Sequence, residues 1–183
     1  MHSFLLTTKK ACANLKSIRY LTLCAVLVAV NILLGFFTIK VGPLLEISFT
    51  SLAAAVCGMI CGPILAGIGG IAADLVKFMM QPSYFFIGFT LNEFLLGLLY
   101  GYAFYGKEIT WKRVIITRLI VTVFINLTLT SLWLHIMYDS ALFAAIRVWK
   151  NVLLFPIDCI LLYITLQTTK RIVPALRQKS TSK

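Results

Sequence analysis

Asp74 and Lys77 stand three residues apart in a run of otherwise apolar and small residues, so a helix would put both on one face. Glu93 and Asp158 interrupt two further apolar runs. Ionised groups in such surroundings are expensive and persist when paired or when they serve a ligand. Two readings therefore stand for Asp74 and Lys77: mutual neutralisation, or a pair facing a ligand cavity. Lys40, Arg147 and Lys150 also lie apart from the main basic clusters. With Lys77 they are not explained by the flanking of spans and need a separate explanation.

A second constellation is Pro82-Ser83-Tyr84-Phe85-Phe86-Ile87-Gly88-Phe89-Thr90, in which turn formers and aromatics precede a helix. Such a loop would cover an aromatic ligand while the helix N-terminus favours an anion; an interfacial aromatic anchor is the plainer reading. His135 shares its apolar run with Thr130 and Ser131. No Gly-x-Ser-x-Gly elbow or paired-Asp metal motif accompanies it, so a packing role is the simpler account and catalysis is not expected. Cys57 and Cys61 are four apart on one prospective helix face, with no His or further Cys near in sequence. A metal set is not expected from them, and all five cysteines read as small buried hydrophobes.

These residues must be positioned by membrane helices. With 60% hydrophobic and 13% charged residues, the chain of 183 residues has room for six spans of about 20 residues and little more. The spans are expected near 20–37, 47–60, 64–80, 89–105, 114–137 and 146–166, as one integral membrane domain over 1–183, with the second and third short. Thr38 to Glu46 reads as a short polar loop, and Cys61-Gly62-Pro63 as a helix-breaking turn. The net charge of +11 is not a nucleic-acid footprint, because the basic residues bracket apolar runs rather than gather on one polar face. Thirteen of the seventeen basic residues form three clusters: Lys9 to Arg19, Lys107 to Arg118, and Lys170 to Lys183. Basic residues flanking spans stay on the cytoplasmic side, so both termini are expected there. Ala25 and Ala29, four apart on the first span, would let another helix approach closely, whether within the bundle or from a partner.

Gly58-Met59-Ile60-Cys61-Gly62-Pro63, Ala73-Asp74-Leu75, Phe85 to Leu91 and Leu98-Leu99-Tyr100-Gly101 together resemble the substrate-binding S components of energy-coupling factor (ECF) vitamin transporters. Ser131-Leu132-Trp133-Leu134 with Tyr138, and Arg147 with Lys150, Asn151 and Pro156, look like the folate-specific branch. Ile87 stands where that pattern carries Pro, and Thr130-Ser131 where it carries Asn-Thr.

The resemblance implies an all-α bundle of six transmembrane helices in a prokaryotic cytoplasmic membrane. Its activity would be high-affinity capture of folate from outside, with no chemistry and no cofactor of its own. The expected partners are a transmembrane scaffold subunit and two cytoplasmic ATPases that use the ATP, with release by toppling of the S component in the membrane. It implies that Ala25 and Ala29 meet the scaffold, and that Tyr84, Phe85, Phe89, Trp133 and Tyr138 stack on the ligand's rings. Lys40, Lys77, Arg147 and Lys150 would meet its carboxylates, with Gly88, Thr90 and His135 completing the pocket. The alternatives are an S component for another vitamin or a queuosine precursor and, from other classes, an intramembrane enzyme or a channel.

Overall fold

A computed structural model describes residues 17–37, 39–40, 46–47, 49–80, 86–138 and 145–181. Helix α1 (Ile18–Phe36) is followed by strands β1 (Ile39–Lys40) and β2 (Glu46–Ile47), then α2 (Thr50–Cys61), α3 (Pro63–Met80) and α4 (Ile87–Phe104). The fifth span is continuous but not uniform: α5 (Trp111–Ile120) passes into a π-helical segment (Val121–Leu129) and then α6 (Thr130–Tyr138). Helix α7 (Ala145–Thr181) closes the order.

Five of these stretches are long and apolar enough to cross a membrane: Ile18–Phe36, Pro63–Met80, Ile87–Phe104, Trp111–Trp133 and Asn151–Ile172. At 12 residues, α2 spans only about 18 Å, short of a hydrocarbon core of about 30 Å. The second span is short as its sequence indicates. The third starts at Pro63 itself and its 18 residues span about 27 Å, close to that thickness. Pro63 is tolerated there because the first helical position has no backbone bond to lose.

The outer surface is a band of exposed apolar side chains, among them Ile18, Val26, Leu33, Met79, Phe124, Leu153 and Ile164. In water such a surface would aggregate, whereas in lipid it is the solvated face. The interior holds smaller residues. Gly62 turns the chain between α2 and α3 with a φ of 93°, a conformation that glycine adopts without strain. Helix α4 crosses that turn so closely that a Cβ on Gly101 would stand 2.2 Å from the Cα of Pro63. Gly97, four residues earlier, meets Ala66 in the same way, with its carbonyl 2.4 Å from the ideal Cβ position. Without a hydrophobic drive between helices in lipid, this backbone proximity supplies the packing energy. Gly101→Ala is expected to lower stability by about 1–3 kcal/mol, measured by thermal unfolding in detergent, because the turn must move to admit a methyl group.

Three features differ from the sequence expectation. The loop after α1 contains an antiparallel pairing, Ile39 with Ile47 and Lys40 with Glu46. Helix α7 does not stop near 166 but continues to Thr181. Arg118, grouped above with the basic flanking residues, is instead buried at 8% exposure. It makes an ion pair with Asp158 and donates a 3.0 Å hydrogen bond to the Tyr100 hydroxyl. Asp158 thereby has the partner that its own helix does not supply.

The remaining described basic residues of that kind gather at one end of the bundle. Lys107 donates to the carbonyl of Tyr102, Arg113 to that of Glu108, and Lys170 of α7 pairs with the Glu108 carboxylate. The Lys170 bond and charge hold the exposed Glu108 carboxyl below its ordinary pKa. Trp111 stacks on Tyr163 at this end, with ring centroids 4.1 Å apart.

Candidate functional site

The opposite end of the bundle collects the polar residues that an apolar helix would not otherwise carry. There α1, α3 and α6 finish and α2, α4 and α7 begin. Asn31, buried near the end of α1, donates from Nδ2 to the Thr50 carbonyl at 3.2 Å and ties α1 to the start of α2. The Lys77 stem lies over Gly35 of α1, its Cε 3.1 Å from where a Cβ would stand.

Asp74 and Lys77 do not neutralise each other as an ion pair. Among the described residues, the ion pairs are Arg118–Asp158 and Lys170–Glu108. Asp74 instead accepts a 2.6 Å hydrogen bond from the Thr90 hydroxyl, across the gap between α3 and α4. Glu93, one turn further along α4, lies within the electrostatic reach of both Lys77 and Asp74. Its Oε2 is buried with no hydrogen-bond partner, as is Oδ1 of Asn31. Buried acceptors in this condition cost free energy and offer a ready partner to any donor that enters.

Beside this polar strip lies an aromatic cluster. The N-terminal residues of α4 bring Phe86 within 5.5 Å of the Trp133 ring and 6.0 Å of the Phe89 ring, measured between centroids. Gly88 lies between them: a Cβ there would be 2.5 Å from the Phe86 ring and 2.6 Å from that of Trp133. Trp133 is fixed by its indole nitrogen, which donates 3.1 Å to Oδ1 of Asn92. Asn92 in turn donates 3.1 Å from Nδ2 to the Thr130 hydroxyl, and that hydroxyl bonds the Ile125 carbonyl five residues back. Bonds of five-residue span belong to the wide turns of the π-helical segment, a conformation frequent at functional sites. The π-helix therefore sets the rotation at which Thr130 and Trp133 meet α4. Thr130, which replaces the Asn of the resembling pattern, still supplies a polar contact.

Of the residues singled out in the sequence, Lys77, Gly88, Phe89, Thr90 and Trp133 converge at this end, and His135 sits half-buried one half-turn beyond Trp133. Tyr84 and Phe85 lie outside the described residues. Lys40, Tyr138, Arg147 and Lys150 are placed by backbone alone, in β1, at the end of α6 and in the first turns of α7, all at this same end. Sequence reasoning missed Asn31 and Asn92 as positioning residues. The available signal was an amide inside an apolar helix, which needs a partner at membrane depth. Ala25 and Ala29 lie elsewhere, exposed on the outward face of α1, whereas Cys24 and Asn31 face inward.

Comparison with known proteins bears on what this end of the bundle does. Residues 19–174 match the family model described as ECF transporter, substrate-specific component. The chain belongs to the ECF substrate-specific component family. As such it is a multi-pass membrane protein and the substrate-binding part of a transporter. This S component is 34% identical over 153 residues to the folate transporter FolT of Clostridium novyi (strain NT), covering 81% of this chain and 88% of that protein. It is 29% identical over 169 residues to FolT of Leuconostoc mesenteroides, covering 84% and 91%. Among solved structures, a FolT crystal structure with bound folic acid superposes with a TM-score of 0.78 at 42% identity, over 83% of this chain and 95% of that one.

Proposed function

We propose that this S component binds folate at the polar and aromatic end of its bundle and performs no reaction of its own. The observation that carries this reading is the pairing of an aromatic slot with unsatisfied acceptors in a chain 42% identical to a protein crystallised with folic acid. Phe86, Phe89 and Trp133 present ring faces to a pterin or benzoyl group. Glu93 and Asp74 are the acceptors suited to the N–H edge of a pterin, with Thr90 orienting Asp74. Lys77, with Lys40, Arg147 and Lys150 at the same end, would meet the glutamate carboxylates, Arg147 through both of its parallel donors. Gly88 lets the Phe86 and Trp133 rings close on the start of α4, and Tyr84, Phe85, Tyr138 and His135 would border the ligand.

Titration of the purified protein with folic acid, read by Trp133 fluorescence and by calorimetry, tests this directly. Trp133→Ala is expected to weaken binding by roughly 10- to 100-fold, the loss of about 1–3 kcal/mol of stacking. Arg147→Ala is expected to weaken folic acid binding while leaving pteroic acid, which lacks the glutamate, unaffected. Absence of any folic acid binding by the unmodified protein would sink the reading.

The basic end would then face the cytoplasm, with both termini on that side, and the folate end would face outward across a prokaryotic cytoplasmic membrane. A transmembrane scaffold subunit and two cytoplasmic ATPases would supply coupling, ATP being used by them alone. Ala25 and Ala29, on the lipid-facing side of α1, are the surface we assign to scaffold docking.

A further inference from the structure

At the other end of α1, three thiols that are remote in sequence meet inside the bundle. Cys57 and Cys61 project from one face of α2, and α1 brings Cys24 against them. The three sulfurs all lie within 4.8 Å of one another, and those of Cys24 and Cys57 are 3.7 Å apart. All three residues are buried, at 7%, 5% and 0% exposure, among Tyr20, Leu27, Val28, Ile60, Leu65 and Ala66. The thiols of Cys24 and Cys61 point to the carbonyls of Leu65 and Tyr20, at 3.5 and 3.7 Å. None of the three is in a disulfide.

We propose that Cys24, Cys57 and Cys61 form a binding site for a thiophilic d10 divalent cation of the zinc and cadmium class. A zinc ion takes thiolates at about 2.3 Å, which places sulfurs bound at trigonal or tetrahedral angles about 3.8–4.0 Å apart. The Cys24 and Cys57 sulfurs hold nearly that spacing already, and all three lie within 4.8 Å of one another, so small side-chain adjustments would close the set. A donor set made only of sulfur selects soft ions and gives nothing to magnesium or calcium, which require oxygen. The cation displaces three thiol protons, because only the thiolate ligates, leaving a trithiolate site of net charge −1. No electron is transferred in this exchange of protons for the cation. Binding would pin α1 to α2 directly behind Ala25, the residue after Cys24.

The test uses protein with Cys12 and Cys159 replaced by serine, so that the three thiols are the only ones present. Cadmium titration in detergent should show sulfur-to-cadmium charge-transfer absorption that saturates at one ion per chain, with three protons released and a raised Tm. Magnesium should produce none of these. Adding Cys57→Ser or, separately, Cys24→Ala should reduce cadmium affinity at least tenfold. A Tm and absorption spectrum unchanged by cadmium would overturn the proposal without recourse to either variant. So would full cadmium affinity in Cys57→Ser or Cys24→Ala.

Discussion

Asp158→Ala is expected to destabilise the protein by roughly 3–5 kcal/mol, read as a large fall in Tm in detergent and as lost yield from membranes. Arg118 is buried between α4, α5 and α7, and Asp158 is its only anionic partner among the described residues. The Tyr100 hydroxyl, itself fully buried, satisfies one further donor but carries no compensating charge. Removing the carboxylate leaves a guanidinium in a low-dielectric interior, and Arg118 cannot shed its proton to escape the cost. The converse experiment separates this account from simple loss of packing. Arg118→Leu combined with Asp158→Leu removes both charges and should recover most of the stability, because a buried pair roughly breaks even against apolar residues of similar volume. Failure of the double variant to recover would assign the pair's value to hydrogen bonding with Tyr100 instead.

The same pair shows where reading from sequence stops. The apolar runs, their number and their breakers at Gly62-Pro63 were legible because helix length and hydropathy are local properties. Arg118 was misread as a flanking charge because its partner lies 40 residues away on α7, and no local pattern reports which face of α5 meets it. For Asp74 and Lys77 it is the reading of mutual neutralisation that fails, and for the opposite reason. Their spacing allows a local pair, but Thr90 of α4 captures Asp74 once α3 and α4 pack backbone to backbone.

The Cys24 thiol, 33 residues from Cys57, is a third instance of convergence that only packing reveals. Trp133, Phe89 and Lys77, singled out by residue type, do gather at one end of the bundle. The candidate site was not legible at Asn31 and Asn92, whose role is to orient neighbours. The π-helical turn that brings Thr130 to Asn92 leaves no clear mark in the sequence.

Ala29→Trp is expected to abolish folate uptake in cells that carry the energising module while leaving the affinity of purified protein for folic acid unchanged. The separation follows from where the residue sits. Ala29 and Ala25 are exposed on α1, turned away from the bundle interior, whereas Asn92, which fixes Trp133, is buried. A larger side chain there meets lipid in the isolated protein and disturbs neither the core nor the slot.

Against a partner helix it acts differently. Small residues four apart permit backbones to approach more closely than the usual 8–10 Å between axes, and an indole at the contact forbids it. A control belongs on another lipid-facing surface: Leu153→Trp, on α7 at 71% exposure, introduces the same bulk and should leave uptake intact. Equal loss of uptake in both variants would show that any added bulk on the lipid surface is harmful, and the docking assignment for Ala25 and Ala29 would fall. Loss confined to Ala29→Trp, with binding preserved, ties capture and delivery to two different faces of one small bundle. The polar interior end then recognises the cargo, and the plainest stripe of its surface commits that cargo to transport.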